Sequence, residues 1–157
     1  MALIAILTPV LSEWNPAYSL THVIADQVKC LTQHGHFVSV IVSEQFRGEP
    51  VEGALVWECL PSESRSDVTE ATLDALRTCL SQVDVVFTHD WISSPRMLPY
   101  YEAIRSLSDP DDGRGWYHWI HSVPVGRQDH WGLEALPTNH FLVYPNNTDA
   151  PMAAAQF

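Results

Sequence analysis

The stretch that decides the fold is Ala2-Leu-Ile-Ala-Ile-Leu-Thr8, followed after a break by Leu20, Ile24, Val28 and Leu31 and then by Phe37-Val-Ser-Val-Ile-Val42. The first run is apolar throughout and has the length of a buried strand. Pro9-Val-Leu-Ser-Glu-Trp-Asn-Pro16 cannot continue it. The four apolar residues that follow recur at helical spacing, and the reading gives a helix over about 18–34, with Ser19 as its cap and Gly35 in the left-handed position past its end. The second apolar run is another buried strand. Strand, helix and strand in this order form a βαβ unit, which predicts a parallel sheet covered by helices. Such sheets bind ligands beyond the carboxyl ends of their strands.

The rest of the chain repeats the alternation. Residues 44–53 are polar, with Gly48, Pro50 and Gly53, and read as a loop. Ala54–Leu60 is a short strand near a sheet edge. Residues 64–83 form a helix whose apolar face is Val68, Leu73, Leu76 and Leu80, with carboxylates from Glu63 to Glu70 near its positive end. Asp84–Thr88 is a strand closed by His89-Asp90-Trp91. A helix follows from Ser94 to Leu107, with Pro95 in its first turn. Trp116–Ile120 is a strand ending at His121-Ser-Val-Pro124, 125–139 is irregular, and Phe141–Tyr144 is the last strand. The fold class is α/β, doubly wound, with a mainly parallel, Rossmann-like sheet in one domain, and right-handed crossovers favour the strand order 3-2-1-4-5-6. Residues 150–157 read as the first turns of a helix, so the chain is expected to continue or to pair with a partner.

Composition narrows the function. The 157 residues are 46% hydrophobic, which excludes a disordered chain, and the formal net charge of −11 with scattered Lys and Arg excludes a nucleic-acid surface. No apolar run approaches membrane-spanning length, and the start lacks a basic segment before its apolar stretch, so a cytoplasmic protein without a signal peptide is expected. Cys30, Cys59 and Cys79 are far apart and form no CxxC. Cys30 and Cys79 fall at core-like helix positions and suit small buried thiols in a reducing compartment. The eight histidines show no HExxH or finger spacing, so no metal is expected.

Four polar segments follow apolar strands on the predicted carboxyl edge: Thr8 to Asn15, His89 to Ser94, His121 to Pro124, and Pro145 to Asp149. His89 and Asp90 are adjacent on a strand and point to opposite faces, so they do not form one dyad. Two readings stand equally: one side chain faces the cleft while the other ties the loop or caps the next helix, or both are structural. His121 has the chemistry to orient a hydroxyl or donate to a phosphate, and equally to serve as a structural histidine. His118 and His121, three apart on an extended segment, lie on opposite faces. His34 and His36 flank Gly35 and suit surface roles at a helix end. His22 sits where its ring could border the cleft, and His130 and His140 lie in irregular segments with no readable partner. The loop after the first strand has no glycine, so a dinucleotide fingerprint and a P-loop are both absent. In that loop Trp14 and Tyr18 suit stacking on a sugar ring or covering the core, and Glu13 suits a base or a solvated carboxylate. No GxSxG elbow is present.

Four segments taken in order resemble the amino-terminal domains of GT-B glycosyltransferases, especially the family 4, glycogen-synthase-like group. Thr32-Gln-His-Gly-His-Phe-Val-Ser-Val-Ile-Val42 resembles that group's passage from first helix to second strand. Val85-Val-Phe-Thr-His-Asp-Trp91 resembles its "HDW"-type strand end. Trp119-Ile-His-Ser-Val-Pro124 resembles a later strand ending in His, and Leu142-Val-Tyr-Pro-Asn-Asn147 resembles the strand before the interdomain link. The resemblance implies one half of a GT-B fold, the acceptor-binding half, with the donor-binding half absent from this chain and supplied by a carboxy-terminal domain or partner chain. It implies a retaining transfer from a nucleotide-diphosphate sugar to a small-molecule or glycan hydroxyl, without cofactor or metal, and with this fragment alone inactive. It carries His121 over as a cleft residue near the reacting sugar, and His89 and Asp90 as cleft-lining residues. The expected site is then His121 as the catalytic residue, with Trp14, His89, Asp90, Ser122 and Asn146 as substrate-binding residues. The missing first-loop glycines depart from many relatives. A stand-alone, non-catalytic Rossmann-like binding domain is the alternative. Response-regulator-like and flavodoxin-like readings lack the acidic cluster and the Ser/Thr-rich phosphate loop they require.

Overall fold

The computed structural model describes residues 1–8, 19–60, 70–91, 98–111, 113–121, 137–148 and 150–155. In chain order the elements are β1 (Leu3–Leu7), α1 (Ser19–Gln33), β2 (Phe37–Ser43), β3 (Leu55–Leu60), α2 (Glu70–Leu80), β4 (Val85–His89), α3 (Leu98–Leu107), β5 (Gly115–Trp119), β6 (His140–Val143) and α4 (Ala150–Ala154). The six strands form one sheet in the order β3-β2-β1-β4-β5-β6, and every neighbouring pair is parallel. This is the doubly wound order expected from the alternation of strands and helices. All carboxyl strand ends therefore share one edge.

Side-chain alternation along the strands splits the core in two. Ala5, Leu7, Ile41, Val86 and Trp116 face α2 and α3, where Leu76, Leu80, Tyr100, Ala103 and Ile104 meet them. Ile6, Val38, Val40 and Val42 face α1, where Leu20, Ile24 and Val28 meet them. α1 is thus an amphipathic helix whose apolar stripe is the one visible in the sequence. It ends in a Schellman motif: Gly35 has φ 79°, its N–H donates to the Thr32 carbonyl (3.0 Å), and the His36 N–H donates to the Leu31 carbonyl (3.1 Å).

Several boundaries and environments differ from the sequence reading. Ser19 is the first helical residue of α1, so the cap position precedes it and lies outside the described residues. Thr8 falls just past β1, fully buried, with its N–H on the Ile41 carbonyl. His89 belongs to β4 itself, because its strand partner Trp119 extends the ladder by one residue. His140 is the first residue of β6, paired in register with Trp116, and is not in an irregular segment. Cys30 is exposed, because position 30 of α1 turns away from the stripe through Val28 and Leu31. Cys79 is half-buried against the α2–α3 side of the core. The expected helix starts at Ser64 and Ser94, and Val68, Glu63 and Pro95 with them, lie outside the described residues.

Candidate functional site

The carboxyl edge is organised around His121, two residues beyond β5. His121 Nε2 lies 2.7 Å from Nδ1 of His89, at the end of β4. The other nitrogen of His89, Nε2, lies 3.0 Å from Oε1 of Gln27 on α1. The Gln27 carbonyl oxygen can only accept, so His89 Nε2 carries a proton and His89 Nδ1 is the acceptor. His121 Nε2 therefore donates, and the lone pair of neutral His121 is on Nδ1. No hydrogen bond to that atom occurs among the described residues.

Asp90 holds the same residue from its backbone side. Its Oδ1 accepts the His121 N–H at 2.9 Å, and its own N–H donates to the Trp119 carbonyl at 2.8 Å. Asp90 has φ 57°, the left-handed region that Asp tolerates better than most residues. That turn explains a departure from the sequence reading. Strict alternation would send His89 and Asp90 to opposite faces. The left-handed residue breaks the alternation, and both side chains bond the same partner, although they do not bond each other as a dyad.

Aromatic rings fix the pair. Trp119 stacks on His89 (6.0 Å between centroids) and on His121 (6.3 Å), and the two imidazoles lie 5.0 Å apart at 12°. Phe87 props Trp119 edge-on at 6.3 Å. Burial pushes the His89 imidazole down to about 3, and repulsion from His121 adds to the effect. His89 is thus neutral at physiological pH.

A second histidine network lies on the other sheet face. Thr88 Oγ1 is 2.8 Å from His118 Nδ1, and His118 Nε2 is 2.9 Å from His140 Nδ1. All three residues are buried, and Trp116 stacks on His140 at 5.3 Å. Burial, then repulsion from His140, lowers the His118 imidazole to about 3. His118 and His121 do lie on opposite faces, each with its own histidine partner.

The remaining expected site residues are placed as follows. Asn146 is exposed beyond β6, where its Oδ1 accepts the Thr148 N–H at 2.7 Å in an Asx turn. It shares the carboxyl edge with His121, one strand further out. Trp14 and Ser122 lie outside the described residues, as do Glu13, Tyr18 and His130. His22 is exposed on α1. His34 Nδ1 bonds the Cys30 carbonyl (2.8 Å), and His36 Nδ1 accepts from the Ala2 N–H (3.2 Å), so that ring ties α1 to the start of β1. Gln27 was missed by sequence reasoning. Its signal was a polar side chain set into the apolar stripe, three residues after Ile24 and four before Leu31.

A cavity of about 710 Å³ opens elsewhere, at the amino ends of β1–β3, with Leu3, Phe37, Leu55, Trp57 and Cys79 among its lining. It holds none of the histidines of the carboxyl edge. No described helix is long and apolar enough to cross a membrane.

The sheet order defines a doubly wound, Rossmann-like α/β domain. Among solved structures the chain is similar to the catalytic domain of starch synthase IV from Arabidopsis thaliana, bound to ADP and acarbose, with a TM-score of 0.53 and 16% sequence identity. The match covers 85% of this chain and 38% of that one, so the chain spans well under half of that domain's length. At this identity the likeness is one of fold. No family model matches the chain, and no curated protein matches its sequence.

Proposed function

We propose that this chain is the amino-terminal, acceptor-side domain of a GT-B glycosyltransferase of the glycogen-synthase-like group. The complete enzyme moves a sugar from a nucleotide-diphosphate donor to a hydroxyl, and a carboxy-terminal domain or partner chain supplies the donor site. The observation that carries this reading is His121, oriented at the carboxyl edge by His89 through its ring and by Asp90 through its backbone. The ADP and acarbose named with the starch synthase structure support a nucleotide donor and a glycan acceptor.

In this reading His121 Nδ1 accepts a hydrogen bond from the acceptor hydroxyl and takes up its proton as the new glycosidic bond forms. The neutral His89 ring then faces an imidazolium that donates to it, an arrangement without like-charge conflict. Trp14, Ser122 and Asn146 complete the acceptor contacts. Stabilising the departing diphosphate falls to the other half, because the sequence after β1 lacks the glycines typical of a phosphate cradle. That same loop favours the second reading, a stand-alone binding domain.

The test is transfer from ADP-, UDP- and GDP-glucose to maltooligosaccharides by the complete gene product. His121→Ala is expected to cut turnover by about 10²- to 10⁴-fold while urea unfolding is unchanged. Undiminished turnover removes His121 from the site. Absence of transfer from all three donors, together with tight calorimetric binding of one of them to this chain alone, supports the stand-alone reading instead.

A further inference from the structure

Two of the three cysteines have a geometry that the sugar-transfer reading does not use. Cys59 Sγ and Cys79 Sγ are 3.2 Å apart, both half-buried, one on β3 and one on α2. Periodicity puts them there. Trp57 and Cys59 point to the same face of β3, and Cys79 lies three residues after Leu76 on the face of α2 that packs against it. Both cysteines pack against the core cluster that contains Leu60, Leu76 and Leu80. β3 is an edge strand with β2 as its neighbour.

We propose that Cys59 and Cys79 are a thiol–disulfide modification site, closed by a small-molecule disulfide such as oxidised glutathione into a covalent clamp between the edge strand β3 and helix α2. Closing the bond requires the sulfurs to approach by about 1 Å from their 3.2 Å separation. Cys79 reacts first, because it lines the 710 Å³ cavity and a small molecule reaches it there. Its thiolate attacks one sulfur of the oxidant, the oxidant's S–S bond breaks, and one small thiolate leaves. Cys59 then loses its proton to solvent and attacks the Cys79 sulfur, expelling the second small thiolate. Two protein thiols lose two electrons in all, the oxidant disulfide becomes two thiols, and those thiols take up the two protons. Burial, with the Cys79 hydrogen bond and charge, pushes the Cys59 thiol up to about 12, which assigns it the resolving role. Cys30 is exposed on α1, across the sheet, and serves as an internal control.

The test incubates the full chain with oxidised glutathione, alkylates free thiols after denaturation, and maps the peptides without reduction. The expected product is a Cys59–Cys79 crosslink, with each chain lighter by two hydrogen atoms at that pair, while Cys30 carries glutathione or the alkyl group. The unfolding midpoint of the crosslinked chain rises by several degrees and returns on reduction, and Cys59→Ala shows neither change. Alkylation of both residues, or a reaction stalled at Cys79–glutathione, under conditions that glutathionylate Cys30 overturns the proposal. A crosslink that lowers the midpoint overturns it as well, because the bond would then not fit the folded arrangement.

Discussion

Acid should destabilise this domain well before its carboxylates titrate, through His89 and His118. Both imidazoles are held at about 3 in the folded chain, against about 6.5 when unfolded. Between these values the unfolded chain binds a proton at each ring that the folded chain does not. Stability is therefore fully present above pH 6.5 and falls as the pH drops toward 3. Each ring costs about 1.4 kcal/mol per pH unit, so two rings cost roughly 4 kcal/mol between pH 6.5 and 5.0. That is a large share of the 5–15 kcal/mol of an ordinary domain. Among the described residues the titratable group facing each ring is the other histidine of its pair, His121 for His89 and His140 for His118. The assay is urea unfolding at pH 7.0 and 5.0, followed by the fluorescence of buried Trp91 and Trp116. His118→Phe lowers stability at pH 7.0, because Thr88 and His140 lose a partner, but the pH dependence is the informative quantity. It should fall by about half, to roughly 2 kcal/mol over the same interval. A wild-type stability that is flat between these pH values, or an undiminished dependence in His118→Phe, refutes the reasoning.

Other outcomes follow from the site. Gln27→Leu leaves the buried His89 Nε2–H without its acceptor and should cost about 1–3 kcal/mol in urea unfolding. The same change should move the imidazole nitrogen shifts of both His89 and His121, since the tautomer of one sets that of the other. Asp90→Asn keeps the oxygen that accepts the His121 N–H and tolerates the positive φ, so its stability should stay within about 0.5 kcal/mol of the parent. Asp90→Ala loses both advantages and should cost about 1–2 kcal/mol. Calorimetry with ADP-glucose or UDP-glucose on this chain alone should show weak binding or none.

The strands and their order were legible because each apolar run is short, bounded by Pro, Gly or polar residues, and separated from the next by a helical period. The Gly35 turn was legible for the same local reason. What escaped was set by pairing. His89 joined β4 because Trp119 lies beside it, and His140 joined β6 because Trp116 does, and neither neighbour is close in sequence. The convergence of His89 and Asp90 on His121 escaped because one left-handed residue overturns the alternation on which the face assignment rested. His121, His89 and Asp90 were all singled out in the sequence, but Gln27, which sets their tautomers, lies 62 residues from His89. The Cys59–Cys79 contact was likewise hidden by a separation of 20 residues and by reading each thiol singly.

The central claim is that the carboxyl edge around His121 receives a sugar hydroxyl. Its most direct test is a titration of the isotope-labelled chain with maltooligosaccharides, observing the imidazole resonances. The account predicts shifts at His121 and His89 that saturate with glycan, while the His118 and His140 signals on the opposite face stay in place. Saturating glycan that shifts His118 and His140, or residues around the cavity at Phe37 and Trp57, and leaves His121 unmoved would contradict it.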